Sequence, residues 1–501
     1  MNRATLHLDT QHHVGAIDRR IFSGFLEHLG RAVYEGVYDP GNPLSDARGL
    51  RRDVLEALRP FGMPLVRYPG GNFVSCYDWK DGIGPREQRP SRPDYAWRSI
   101  ESNQFGTDEF MAWCKELGTA PMIAVNLGTA GTTEAAQLLE YCNLVRGTYW
   151  ADQRIRHGNP EPYGVKLWCL GNEMDGVWQA GHVPADVYAQ RASQAGLMMK
   201  GLDPSIELVA CGSSHNKMRT YMEWDRTVLE YCWEYVDYLS AHRYSENKRD
   251  DTAWFLAEGI EIDRTLEDYR ALLNYVRAVK KSSKRVYLSF DEWNVWYRAR
   301  QGDDADGQWS TAPHLLEEIY NLEDALVCAQ YLTSFLRHAD IVKIACIAQI
   351  VNTIAPILTR PEGILFQSIY YPFALFSRHA AGQSLVPVLQ CPTYAAGDRG
   401  EVPVLDAAAS HNAEDGAVAI FLVNRGQKED LIVDVDIGRR RFTHVVGVDI
   451  LGGGDPKASN SWEAPRRVAP SSGSAEVTDA GGLRVTVPAL GLAVVRATLA
   501  G

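Results

Sequence analysis

The chain has no C-x-x-C pair, and its nine cysteines, an odd number, lie singly between Cys76 and Cys391. Such usage reads as reduced thiols that pack as small apolar side chains rather than as a disulfide framework. Positive charge is short as well. The 51 Lys and Arg face 63 Asp and Glu, a net charge of −12, which gives no electrostatic reason to bind nucleic acid. The densest basic run, Arg439-Arg440-Arg441, reads as a solvated loop. Long hydrophobic runs are also missing. The greasiest stretch, 341–358, is broken by Lys343, Gln349, Asn352 and Pro356, so a buried strand is expected there and no membrane span. Residues 1–9 lack the apolar core of a secretory signal, and a cytoplasmic location is expected. Absent too are H-E-x-x-H, the P-loop, G-x-G-x-x-G after a strand and the G-x-S-x-G elbow. Metal, nucleotide and serine-hydrolase chemistries fall away with them, no cofactor is expected, and a small neutral ligand fits better.

What the chain does hold is material for a large core: 501 residues, 45% hydrophobic and 23% charged, a globular balance. Short apolar runs that end in polar or glycine residues, each followed by helical periodicity, recur at 21–26, 64–68, 122–126, 165–170, 208–211, 236–241, 286–290 and 341–348. Eight such repeats predict an α/β fold, a (β/α)8 barrel. Apolar spacing of three and four predicts amphipathic helices over 108–117, 134–145, 184–202, 265–279 and 322–338. Thr107 or Asp108 can cap the first, Gly118 can end it, and Pro184 suits a first turn. From about Phe376 the period shortens to two, which predicts a β-sandwich of jelly-roll type. Residues 4–9 alternate likewise and are assigned to it. The division expected is 18–375 for the barrel and 1–17 with 376–501 for the sandwich.

Two glutamates follow apolar runs: Glu173 in Leu170-Gly171-Asn172-Glu173-Met174-Asp175 and Glu292 in Ser289-Phe290-Asp291-Glu292-Trp293-Asn294. A desolvated carboxylate costs several kcal/mol when unpaired, so two of them need a reason. Barrel active sites form at the carboxyl ends of strands, here the fourth and seventh. Glycoside hydrolysis needs two carboxyl groups, one to protonate the departing oxygen and one to stabilise or capture the oxocarbenium-like centre. The competing structural reading is an ion pair with Arg67 or Arg243. Strand alternation puts Phe290 and Glu292 on one side and Asp291 on the other, making Asp291 an orienting residue. The nearby Trp178, Trp293 and Trp296 offer the aromatic faces a sugar cleft needs.

Other polar residues share the same rim. Glu27 ends the first strand, with a salt bridge to Arg31 as its alternative. Gly70-Gly71-Asn72 ends the second, where paired glycines admit close backbone approach to a ligand. His242 and Tyr244 close the sixth, and Gln349 ends the eighth.

The motifs Gly24-Phe25-Leu26-Glu27-His28-Leu29-Gly30-Arg31, Val66-Arg67-Tyr68-Pro69-Gly70-Gly71-Asn72-Phe73, Trp168-Cys169-Leu170-Gly171-Asn172-Glu173-Met174-Asp175-Gly176 and Phe290-Asp291-Glu292-Trp293-Asn294-Val295-Trp296-Tyr297, with 349–356, resemble the intracellular α-L-arabinofuranosidases of glycoside hydrolase family 51. The resemblance implies a (β/α)8 barrel with a β-sandwich, no metal, and a retaining double displacement that removes terminal non-reducing α-L-arabinofuranosyl residues from arabinan or arabinoxylan fragments. It also implies a homohexamer. Glu173 would be the acid/base and Glu292 the nucleophile; Glu27, Asn72, Asn172, Tyr244 and Gln349 would bind the furanose, with Trp97 and Trp296 shaping the pocket. The chain departs from the family's pattern at Cys76 and at Ser245-Glu246-Asn247-Lys248. A β-xylosidase, endo-glucanase or other furanosidase on the same site is the alternative activity, and a carbohydrate-binding or scaffold protein without catalysis the alternative class.

Overall fold

The eight apolar runs form the parallel strands of a closed barrel in the computed structural model, which describes residues 2–299 and 309–500. They are β1 Ser23–Phe25, β2 Leu65–Tyr68, β3 Ala120–Ala124, β4 Leu167–Leu170, β5 Glu207–Ala210, β6 Tyr238–Ser245, β7 Tyr287–Val295 and β8 Val342–Ala348. Each pairs with the next and β8 closes onto β1. Alternation sorts their side chains. Phe25, Met122, Cys169, Val209 and Ile344 fill the barrel interior, while Val66, Ile123, Trp168, Leu208 and Ala345 pack outward against helices.

A helix follows each strand in turn, α1 Arg52–Leu58, α2 Thr107–Leu117, α3 Thr132–Asn143, α4 Ala185–Leu202, α5 Glu223–Cys232, α6 Glu258–Val279, α7 Leu322–Arg337 and α8 Tyr370–His379, with additional short helices at Tyr149–Arg156 and Thr252–Phe255. Gly118 ends α2 with φ +79°, as the sequence suggested. The start differs: Gly106 is the cap, because the Glu109 carboxylate reaches back to the Gly106 N–H (2.8 Å) and draws Thr107 into the first turn. Pro184 sits just before α4 rather than within it. α6 begins seven residues before the expected start. Its first turns look polar in sequence, yet Glu258, Gly259 and Ile262 are buried there.

Apart from three short two-stranded hairpins, the remaining described strands build two sheets. A seven-stranded sheet runs His13–Ala16, Gln383–Leu385, Leu405–Asn412, Ala417–Asn424, Gly491–Leu499, Phe442–Gly452, Ser471–Ser472; a five-stranded sheet runs Val388–Gln390, Asn2–His7, Leu431–Asp436, Leu483–Val487, Ala475–Val477. Asn2–His7 lies parallel to Leu431–Asp436. Both faces of the larger sheet are buried along its central strands Leu405–Asn412 and Ala417–Asn424. Ile420 and Leu422 point between the sheets, while Phe421 and Val423 point at the barrel helices, where Phe421 stacks on Phe376 of α8 at 4.0 Å. α7 lies between barrel and sheet and is buried along Leu322–Leu336, which accounts for its apolar and small composition.

Candidate active site

At the carboxyl ends of the strands the barrel opens into a cavity of about 890 Å³, whose wall includes Glu27, Asn72, Trp97, Glu173, Tyr244, Glu292, Trp296 and Gln349. Of the ten residues singled out in the sequence, Asn172 and His242 stand one layer behind that wall. Both are buried.

Glu292 enters the cavity because β7 carries a bulge. Ser240 and His242 of β6 face Ser289 and Glu292, and Phe290 and Trp293 span only Ala345 to Ile347 on β8, so β7 holds one residue more than either neighbour. The extra residue breaks simple alternation. Phe290 and Trp293 point outward, with Phe335 at 5.2 Å from Phe290 and Tyr331 at 5.0 Å from Trp293. Asp291 and Glu292 both point inward, against the expectation that they face opposite sides. Trp293 is therefore a core residue and not a face for sugar.

Arg67 of β2 donates to Glu292 Oε1 (2.8 Å) and to Asn172 Oδ1 (2.7 Å), and its Nε lies 3.7 Å from Asp291 Oδ2. The guanidinium is fully buried over the Phe25 ring; stripping it of water costs several kcal/mol, which these acceptors offset. The ion pair weighed against catalysis thus exists for Glu292, and it holds that carboxylate aimed at the cavity. Tyr244 donates to the other oxygen, Oε2, at 2.9 Å. Burial, then the charges of Glu292 and Glu173, keep the Tyr244 phenol protonated far above neutrality. Arg243 pairs instead with Glu258.

Glu173 lies in the turn that leaves β4, three residues past Leu170. Gly171 takes φ +91°, and Glu173 itself has φ +43°, a left-handed conformation that costs a non-glycine residue about 1–3 kcal/mol. The side chain is held at both oxygens, Oε1 by His242 Nδ1 (3.0 Å) and Oε2 by Trp178 Nε1 (2.6 Å). Burial is the largest influence on its carboxyl and raises it; the His242 hydrogen bond opposes this, the Glu292 charge reinforces it, and the net shift is upward. One oxygen of Glu173, one of Glu292 and a ring nitrogen of His242 lie within 4.8 Å of one another.

These three groups also have the spacing of metal ligands. The His242 ring lies among acidic side chains. Burial alone would depress the ring, but Glu292, Asp291 and Glu173 surround it and raise it to about 10. Its Nε2 reaches Asp291 Oδ1 at 3.0 Å. Both ring nitrogens are thus engaged by carboxyl groups, Nδ1 by Glu173 and Nε2 by Asp291. Burial would raise Asp291, yet Arg67 and His242 outweigh it and hold that carboxyl below the usual range. The arrangement is therefore a carboxyl biased toward its protonated form, facing a carboxylate held by a guanidinium.

Glu27 accepts from the Phe73 N–H (2.9 Å) and Trp97 Nε1 (3.0 Å), while its own N–H donates to Gln349 Oε1 (2.8 Å). Burial, then the Glu292 charge, pushes its carboxyl to about 8. Arg31 turns away to Glu317 and Glu35. The paired glycines serve Glu27 directly: a Cβ on Gly71 would stand 2.5 Å from Glu27 Oε2. Trp296 meets Tyr244 edge to face at 5.5 Å, and Trp178, 46% exposed, stacks with His215. Asn172 spends its amide on Arg67 and on Gln179 Oε1 (3.3 Å). Of Ser245–Lys248, Glu246 reaches the cavity wall, whereas Ser245 and Asn247 are buried in bonds to Glu258 and Glu323. Sequence reading did not anticipate the outer wall, which takes Trp254 and Arg264 from the β6–α6 region and Arg399 from beyond the barrel. No local motif marks them.

A (β/α)8 barrel with two facing carboxyl groups at its carboxyl-terminal mouth defines the double-carboxylate class of glycoside hydrolases. Comparison with known proteins narrows the class. Residues 57–258 match the α-L-arabinofuranosidase 1 domain and residues 291–490 the α-L-arabinofuranosidase C-terminal domain. The chain is 46% identical to an intracellular exo-α-(1→5)-L-arabinofuranosidase of Halalkalibacterium halodurans, over 98% of each chain. Its structure resembles a family 51 α-L-arabinofuranosidase from Bifidobacterium longum (TM-score 0.94, 37% identity, 99% of this chain and 100% of that one). It also resembles the arabinose complex of the α-L-arabinofuranosidase from Thermotoga maritima (TM-score 0.88, 35% identity, 98% and 99%). The chain belongs to glycoside hydrolase family 51.

Proposed function

We propose that this protein is a retaining, exo-acting α-L-arabinofuranosidase that removes terminal non-reducing α-L-arabinofuranosyl residues from arabinose-containing oligosaccharides. The observation that carries the reading is the pair Glu173 and Glu292, with one oxygen of each within 4.8 Å. That spacing suits retention, for which the carboxyl groups stand about 5–5.5 Å apart, rather than inversion at about 6.5–9.5 Å. Glu292, oriented by Arg67 and Tyr244, attacks the anomeric carbon as Glu173 passes its proton to the leaving oxygen. Glu173, now ionised beside the His242 cation, takes a proton from water, and the hydroxide displaces Glu292 with the original configuration restored. Glu27, Asn72 and Gln349 bind the furanose hydroxyls, and Trp97, Tyr244 and Trp296 enclose the ring. Asn172 and His242 act through Arg67 and the two catalytic carboxyl groups.

Turnover of a panel of nitrophenyl glycosides, with NMR of the first-formed sugar, tests this. The α-L-arabinofuranoside is expected to be cleaved and the α-anomer to appear first. An inverted anomer ends the retaining assignment, and turnover of the β-xyloside or a glucoside in place of the arabinofuranoside replaces the substrate assignment. On the same reading the protein is a cytoplasmic homohexamer with a catalytic unit of 18–375 and a β unit of 1–17 with 376–501. Support comes from the intracellular relative and from the motifs of the barrel. Among the described residues no helix is long and apolar enough to cross a membrane. Light scattering that returns any mass but six chains overturns the hexamer.

A further inference from the structure

A small hairpin, Thr393–Ala395 paired with Glu401–Pro403, extends from the β unit to the mouth of the barrel and carries Arg399 in the turn Gly397–Arg399. Val402 and Ala396 bury it against Ala257. The Arg399 guanidinium lies 3.7 Å over the Trp254 ring, donates to the Trp254 carbonyl (2.7 Å) and to Glu258 Oε2. Glu258 opens α6 and is buried; its other oxygen, Oε1, accepts from Arg243 Nε (3.1 Å), Arg243 Nη2 (2.5 Å) and Ser245 Oγ (2.8 Å). Arg243 and Ser245 flank Tyr244 on β6. Tyr331 of α7 fastens the same stretch, with its hydroxyl 2.7 Å from Ser245 Oγ and 3.3 Å from the Arg243 carbonyl. Strand alternation then gives β6 two functions. His242 and Tyr244 face the catalytic carboxyl groups, and Arg243 and Ser245 face an anchor that one carboxylate and two arginines share. The chemistry assigned above uses neither Glu258 nor Arg399.

We propose that Arg399 is a positioning residue for the glycosidase site, acting through Glu258 on Arg243 and Ser245 to hold Tyr244 against Glu292 and His242 against Glu173. The proposal rests on the reading of Glu173 and Glu292 as the catalytic pair. It makes the β unit part of the active site, since an element outside the barrel fixes the strand that orients the nucleophile. A guanidinium suits the place because it can bond a carboxylate, bond a carbonyl and cover an indole at once, which an ammonium cannot.

The test measures kcat and KM on whichever nitrophenyl glycoside the wild type cleaves, so a wrong substrate assignment leaves it intact. Arg399→Ala is expected to lower kcat about tenfold with KM within about twofold, because slight misplacement of catalytic groups acts on the chemical step. Arg399→Lys is expected to recover part of that loss. Arg249→Ala is the control: it removes the 2.8 Å pair with Asp398 of the same hairpin and the guanidinium 4.5 Å over the Trp254 ring, without touching Glu258, and kcat is expected to stay within about twofold. Equal losses for Arg249→Ala and Arg399→Ala, or a wild-type kcat in Arg399→Ala, overturn the proposal. Should Arg399→Ala fail to fold, Arg399→Lys, Glu258→Gln and their double variant decide. A shared path gives a double loss no larger than the larger single loss, and multiplied losses refute it.

Discussion

Replacing Glu173 by alanine should separate the two halves of the reaction. A positioned general acid contributes about 10²- to 10⁴-fold, which is about 3–5.5 kcal/mol of barrier. An oligosaccharide whose leaving oxygen needs that proton should lose the full factor. A dinitrophenyl arabinofuranoside, whose leaving group departs as an anion, should form the covalent intermediate on Glu292 almost as before and then stall, since no base remains to activate water. Stopped-flow absorbance should show a burst equal to the enzyme concentration. The structure also says what rescues it. Alanine leaves His242 Nδ1 and Trp178 Nε1 pointing into the space of the lost carboxylate, a small anion site formed by a cation and an N–H. Azide should enter it, raise the steady-state rate and yield the α-arabinofuranosyl azide. Equal losses on both substrates with no response to azide would show that Glu173 is not the acid/base.

Further outcomes are expected. Tyr244→Phe removes one of the two donors to Glu292, a charge-assisted bond of about 1.5–3 kcal/mol, so kcat should fall about 10- to 150-fold; a loss under twofold would discount that bond. Gly71→Ala forces a methyl against Glu27 Oε2 and should lower kcat/KM while leaving the circular dichroism unchanged; wild-type kinetics would mean that Glu27 moves freely. His242 is raised from 6.5 to about 10, so the stability that its charge supplies is complete below about pH 6.5 and fades as the pH climbs through 10. The melting-temperature gap between wild type and His242→Asn should therefore shrink from pH 6 to pH 10, and a widening gap contradicts the charged ring.

How much of this was legible in the sequence follows from what kind of order each feature needs. The barrel strands were legible because burial on both faces demands continuous apolar runs, and the helices because one face does. The addresses of Glu173, Glu292 and Glu27 came with the strands. The β7 bulge did not, because one extra residue changes no composition and yet reverses the side to which Asp291 points. Trp293 looked like a sugar platform since sequence does not reveal which face of a bulged strand turns outward. The true start of α6 was hidden because Glu258 is buried among arginines that lie elsewhere in the chain. Long-range polar pairing is what local periodicity lacks, and Arg399 is the extreme case.

The parallel pairing of Asn2–His7 with Leu431–Asp436 bears on the order of synthesis. His7 and Asp436 are 429 positions apart, so on a ribosome the first strand emerges long before its neighbours exist. Its sequence tolerates the delay: Ala4 and Leu6 are its buried apolar residues, with Asn2 and Arg3 in solvent, which makes a poor template for wrong pairing. The barrel then does the bringing together. Once β1 and β8 have closed and α8 is laid down, the Ile17 N–H meets the Gly382 carbonyl at 2.9 Å, and a loop of several hundred residues shrinks to the stretches from His7 to Ile17 and from Gly382 to Asp436. The entropic cost of closure grows with the logarithm of loop length, so the shortened loop closes at a lower cost on the template that the finished barrel supplies, and barrel mutations that slow folding should delay the sandwich with it.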